Sequence, residues 1–247
     1  MTAIAFATIS LTVLVASFIS GVFGLAGGMV LLGILLVFFD VATAMVVFSL
    51  LQLVGNLWRT VLWRRFILWR IVVFYVLGSL SAFLLLRFIA YVPSKPFVYF
   101  VVGFMPFAIE LIPAAWRPNI EWRGVPTFSG FVTSLIQFIA GTGGLFLDVF
   151  FQKSTLDRKT TIATKAIAQA FTHVLRAFYY GSLGWMSDAM PAWGYATGIA
   201  LSIAGTSLAS LLLERMTDDG FRQWTRIVIF AVSAVYLARA AWLYWAE

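Results

Sequence analysis

Residues 24–29 read GLAGGM and interrupt an apolar run that goes from Ala3 to Phe39 without a charge. Glycine tolerates backbone angles closed to other residues and lets a second backbone or a ligand come close, so this cluster predicts a break in a helix. The same device returns 116 residues later, where Gly143 and Gly144 of IAGTGGL (139–145) stand for Gly27 and Gly28. Two matched breaks in one chain predict a duplicated architecture.

The surroundings of both breaks are those of a bilayer protein. The chain is 62% hydrophobic and 11% charged, with a mean hydropathy of +0.96, against about 25% charged residues in ordinary soluble domains. Apolar stretches near the ~20 residues that cross a bilayer as helix recur along it, among them Val41 to Leu57, Ile71 to Leu86 and Ala192 to Leu213. No segment alternates apolar and polar residues as a barrel strand does. The expected class is an all-α polytopic membrane protein, a single membrane domain over 1–247. The opening MTAIAFATIS lacks a positively charged leader region, so the first apolar run is expected to be retained.

Self-comparison extends the match beyond the glycines. Asp40, Thr43, Gln52, Asn56 and Arg59 fall on Asp157, Thr160, Gln169, His173 and Arg176 at an offset of 117. Further on, GSLSAFLLLR from Gly78 aligns with GTSLASLLLE from Gly205, and ELIPAAW from Glu110 with YLARAAW from Tyr236. Internal repeat 1 covers about 1–118 and repeat 2 about 124–247, with a longer loop around Gly181 to Pro191 in the second.

Each half holds a glycine-broken segment and three longer spans, near 41–62, 69–88 and 97–113, then 160–178, 192–213 and 225–245. A broken segment that crosses makes the halves parallel; one that dips in and returns makes them inverted. Lys and Arg favour cytoplasmic loops. With Lys165 set aside as lying within a span, full crossing divides the other sixteen basic residues eight to eight, whereas re-entrant segments put twelve inside and four outside. The expectation is therefore two inverted repeats, each a re-entrant helical segment plus three transmembrane helices.

Half-helices that start after such breaks point free N–H groups and positive dipole ends into the space between them, which suits anions. Transporters built from inverted repeats of broken helices use this arrangement. Gly24, Gly27, Gly28, Gly141, Thr142, Gly143 and Gly144 are the backbone candidates for substrate binding, and close helix packing is the alternative use of such glycines. The candidate side chains form two stripes at i, i+4, i+7: Gln52, Asn56 and Arg59, then Gln169, His173 and Arg176, the second extended one turn by Lys165. Intramembrane polar groups are costly unless they face a cavity or the bundle interior. Arg59 and Arg176 lie toward span ends, where snorkelling competes with a charge or gating role. Asp148 is placed to carry a coupling proton or to pair with Lys165, and Asp40 and Asp157 read as helix N-caps.

The duplicated GLAGGM and GTGG segments, in a small cysteine-free chain rich in Trp and Phe, resemble the TauE/SafE family of sulfite and organosulfonate exporters. The resemblance implies a multi-pass inner-membrane permease that exports small sulfur-containing anions such as sulfite or sulfonates. Family members often carry a proline shortly after the glycines, where this chain has Leu31 to Leu35 and Leu145 to Val149. On this reading the protein is a secondary transporter working by alternating access, coupled to a proton or sodium ion, with a passive anion channel as the alternative.

Enzymatic chemistry lacks its parts: HExxH and GxSxG are absent, cysteine is absent, and His173 is the sole histidine. No cofactor and no metal site is expected. The net charge of +7 comes from residues flanking apolar spans, which points to topology rather than nucleic acid. Trp58, Trp63, Trp69, Trp116, Trp122 and Trp242, near span ends, fit an interfacial belt against the lipid bilayer.

Overall fold

The computed structural model describes the chain apart from residues 1, 24–25, 183–189, 214–217 and 247. The described residues form helices: α1 (Ala3–Phe23), α2 (Ala26–Phe38), α3 (Val41–Leu62), α4 (Trp69–Ile89), α5 (Lys95–Glu110), α6 (Val125–Ala140), α7 (Gly144–Phe151), α8 (Arg158–Tyr180), α9 (Ala192–Leu213) and α10 (Asp218–Ala246). Much of the expected long loop near Gly181 to Pro191 lies outside the described residues.

The two polar-striped helices start the same way. Asp40 and Asp157 have extended backbones, and each side chain accepts from the N–H three residues on, Thr43 and Thr160, at 3.0 Å. These are the N-caps read from the sequence, satisfying helix-terminal donors that would otherwise be orphaned. Hydrogen bonds from the Thr160 side chain and backbone hold the Asp157 carboxyl below the usual carboxylate range.

Chain direction follows from pairs of contacts along each interface. Lys159 Nζ lies 5.1 Å from the centre of the Trp63 ring, while Arg176 Nε donates to Ser49 Oγ at 2.7 Å, so α3 and α8 run antiparallel. The α5–α10 pair is antiparallel too: Tyr99 meets Tyr236 with ring centres 5.2 Å apart, Phe107 meets Phe230 at 5.0 Å, and Glu110 pairs with Arg226 at 2.7 Å. By contrast α4 and α8 run parallel, with Leu68 N–H donating to Thr164 Oγ1 at 3.1 Å and Tyr75 Oη bonded to Thr172 Oγ1 at 3.2 Å. So do α3 and α9, through Ser202 Oγ to the Leu51 carbonyl and Trp58 Nε1 to Ser207 Oγ. The α3–α8 and α5–α10 pairs thus run antiparallel, and the α4–α8 and α3–α9 pairs parallel.

Packing is exchanged between the halves. The most extensive contacts are α1 against α9 and α4 against α6, each a first helix of one half on the second long helix of the other. Glycines let these pairs close. A methyl group on Gly78 would lie 1.9 Å from the Thr127 carbonyl oxygen, one on Gly130 2.0 Å from that of Tyr75, and one on Gly205 2.5 Å from that of Leu14. Small residues at helix contacts are the membrane solution to close packing.

Polarity is distributed inside out relative to a soluble protein. Val73, Leu84, Phe88, Leu211 and Val235 are exposed on the outer faces, while Asn56, Arg59, Gln137, Gln169, His173 and Arg176 are buried. Among the described residues, five helices are long and apolar enough to cross a membrane: stretches of α1, α3, α4, α9 and α10. This differs from the expected set. The 20-residue stretch Ala3–Val22 qualifies by itself, although the sequence assigned it to a re-entrant segment. The 16-residue α5, containing Pro106, is too short, and α8 is too polar, its hydrophilic stripe sheltered against α3 and α4.

Gly78→Val forces a branched side chain into the Thr127 backbone and is expected to destabilise by about 1–3 kcal/mol. Gly55→Ala, whose methyl group would sit at an ordinary 3.5 Å from Thr206 Oγ1, is expected to be tolerated. Thermal denaturation of the two variants in detergent checks both.

Candidate anion site

On either side of the glycine clusters, α2 lies back against α1 and α7 against α6. A methyl group on Gly27, in the first turn of α2, would lie 1.9 Å from the Ala16 carbonyl oxygen and 2.5 Å from Ser20 Oγ. In an unbroken helix residues eleven apart are about 16 Å apart, so α2 has folded back on α1. In the second half a methyl on Gly143 would come 2.3 Å from the Thr133 carbonyl oxygen, two turns back in α6. Gly141 ends α6 in the left-handed region at φ 83°, its N–H bonded to the Gln137 carbonyl at 3.0 Å. This is the conformation for which glycine is suited. Gly24 lies outside the described residues.

Between the reversals is a small cavity of about 20 Å³, lined by Ser20, Gly28, Phe48, Gln52, Asn56, Arg59, Gln137, Gly141, Thr142, Gly143, Gly144, Leu145, Gln169 and His173. Both stripes contribute, because α3 and α8 cross antiparallel with these faces toward each other. Among the described residues, the lining holds one permanent cation, Arg59, and no carboxylate. Four buried polar atoms on these walls have no hydrogen-bond partner among the described residues: Ser20 Oγ, Asn56 Oδ1, Arg59 Nε and Thr142 Oγ1. Orphaned buried groups cost stability unless a ligand or water completes them. The first-turn amides of α7 (Gly144, Leu145) border the same space.

Arg176, the repeat partner of Arg59, has a different job. It is fully buried, which removes the snorkelling alternative, and it does not line the cavity. Its Nε donates to Ser49 Oγ at 2.7 Å, its Nη1 to the carbonyls of Gln137 (3.3 Å) and Gly141, and its Nη2 to His173 Nδ1 at 3.1 Å. The guanidinium also rests on the Phe48 ring, 4.6 Å from its centre. Arg176 thereby caps the carbonyl end of α6, as a second donor to Gln137 and a donor to Gly141.

Its contact with His173 has a consequence. Arginine only donates, so Nδ1 must offer a lone pair; Gln137 Nε2 lies 3.2 Å from the same atom and donates to it as well. The imidazole is thereby held neutral with its proton on Nε2, as a hydrogen-bond donor rather than a base.

Of the residues singled out from sequence, Gly28, Gln52, Asn56, Arg59, Gly141, Thr142, Gly143, Gly144, Gln169 and His173 meet at this cavity. Gly27 serves the close approach of α2 to α1. Lys165 and Asp148 stand apart from the cavity wall as an ion pair with each other. Ser20, Phe48, Gln137 and Leu145 also line it and were missed. Gln137 was detectable as a lone amide in the apolar α6, but self-comparison sets it opposite Gly21, so a search for matched polar pairs passes over it.

A family model described as sulfite exporter TauE/SafE matches residues 9–237, which include both reversals and every cavity-lining residue. The chain belongs to the TauE/SafE sulfite exporter family. No curated protein and no solved structure matches it. Family membership and the five apolar helices make it a multi-pass membrane protein of a transporter family.

Arg59→Gln removes the charge while keeping a polar side chain. A hydrogen bond to a charged group is worth about 1.5–3 kcal/mol, so sulfite binding to the purified protein should weaken by about ten- to a hundredfold. Calorimetric or radioligand titration measures it.

Proposed function

We propose that this protein is a secondary carrier that exports a small sulfur-containing anion, sulfite or an organosulfonate, across the cell inner membrane. The anion binds between the two chain reversals, held by Arg59, by the glutamine, asparagine, threonine and histidine donors around it, and by amides at the start of α7. The observation that carries the reading is the cavity's chemistry: a buried guanidinium and orphaned polar atoms, with no carboxylate among the described residues of the lining. A buried cation without a counter-charge is strongly disfavoured, and an oxyanion supplies both the charge and the acceptors. Lys153, Arg158 and Lys159, near the start of α8, favour anion entry from that side.

Transport proceeds by alternating access of two inverted repeats. Support comes from the antiparallel run of α3 against α8 and of α5 against α10, which is the relation a two-fold axis in the membrane plane imposes. The reversals at Gly27 and Gly143 support re-entrant hairpins, and the twelve-to-four distribution of basic residues supports their orientation. Rocking of one repeat against the other opens the site to each side in turn.

Proteoliposomes containing labelled sulfite test the carrier. Efflux should saturate with concentration, accelerate with unlabelled sulfite outside, and fall in Arg59→Gln; efflux linear in concentration and without countertransport identifies a channel. Topology is tested separately. The chain has no cysteine, so Lys153→Cys is a unique thiol, and an impermeant thiol reagent should label it only after cells are opened.

A further inference from the structure

We propose that Asp148 and Lys165 form the proton-coupling element of the carrier: a proton on Asp148 releases the Lys165 ammonium to bind the anion together with Arg59. The proposal rests on the carrier reading above and adds the coupling ion, the residues that handle it and the stoichiometry.

The pair is built into the site's own scaffold. Asp148 is on α7, one turn after cavity-lining Gly144, and Lys165 is on α8, one turn before cavity-lining Gln169. Residues at i and i+4 on a helix are about 5–6 Å apart at their Cβ atoms, so a lysine side chain spans the step from Asp148 to the cavity. The ammonium and the carboxylate are bonded to each other, with side chains 14% and 32% exposed. The pair is partly buried and neutral as a unit, and removing the charge of one member leaves the other without its counter-charge. Bare Lys165 is then available to pair with an anion in the cavity one turn away.

The surrounding charges reinforce this. From α3, Arg59 stands on the cavity wall. Asp148 is the sole charged residue of α7. On α8, His173 lies two turns on and is committed as a neutral donor, while Arg176 is bound to backbone carbonyls. Neither takes up the proton. The first half has no such pair: Phe48 stands in place of Lys165, and Leu32 in place of Asp148 at the offset of the glycines. One pair per chain means one proton per anion. The Asp148 carboxylate takes that proton from water on the loading side and returns it to water on the other side with the anion. A dianion moving with one proton carries a net charge of −1, so an inside-negative potential still drives efflux.

The test is sulfite binding to purified protein between pH 6 and 8, with proton exchange followed by an indicator dye in weak buffer. Sulfite's own titration is common to all variants, so differences between proteins isolate the carboxylate. Relative to Asp148→Asn, the wild type is expected to take up about one more proton per sulfite at the upper end of this range, and its affinity to fall more steeply as pH rises. Lys165→Met should bind weakly and keep only the pH dependence that Asp148→Asn shows, whereas Asp148→Glu should retain the steeper wild-type slope, which a structural role for the pair would not produce. Equal proton uptake in wild type and Asp148→Asn overturns the coupling role and leaves the carrier standing. Wild-type affinity in Lys165→Met at pH 6 overturns it as well. Absence of sulfite binding by the wild type at every pH overturns the carrier reading and this one with it.

Discussion

A helix interrupted inside an apolar interior leaves carbonyls without partners, and the protein must supply them or the break closes. In the second half the Arg176 guanidinium does so. It binds the carbonyls of Gln137 and Gly141 at the end of α6, the Ser49 hydroxyl on α3 and the His173 ring on its own helix α8. Three helices are tied at one point beside the cavity. Without that tie the left-handed turn at Gly141 has no compensation, and the amides of α7 lose their aim.

The same arginine shows how two matching sequence positions come to differ in their surroundings. Arg59 and Arg176 occupy matching positions. Arg176 is saturated by the backbone of its own half, whereas Arg59 keeps an unpartnered Nε at the cavity wall. One cation is spent on the backbone and the other faces the cavity. The asymmetry extends to neighbouring positions, where Lys165 and Asp148 replace Phe48 and Leu32. The second half thus carries the added ionisable groups, while α2 of the first is held by tyrosines: Tyr99 donates to the Gly33 carbonyl at 3.1 Å and Tyr236 to that of Met29 at 2.7 Å.

Close packing is the condition for all of this. Gly78 and Gly130 bring α4 and α6 together, and Gly21 and Gly205 do so for α1 and α9. In lipid there is little hydrophobic gain from bringing apolar helices together, so contact area and backbone approach decide stability. The exchanged partners bind the halves into one body around the site. Buried hydroxyls strengthen the join, as where Ser134 Oγ donates to Ser79 Oγ at 2.8 Å.

Much was determined by the sequence alone. Apolar content dictated helices in a bilayer, Asp40 and Asp157 marked two helix starts, and glycines against an otherwise unbroken apolar pattern marked where the chain turns. Ten of the residues chosen from the two stripes and the glycine clusters meet at one cavity, because helical periodicity places i, i+4 and i+7 on one face whatever the helix packs against. What periodicity lacks is a partner. Only the tertiary structure decided that Arg176 turns to the backbone while Arg59 faces the cavity, that Lys165 is satisfied by Asp148, and that Gln137 enters the wall from a helix whose repeat mate has glycine there. Those outcomes depend on which helices cross and in which direction, and so on contacts between residues a hundred or more positions apart that local spacing does not encode.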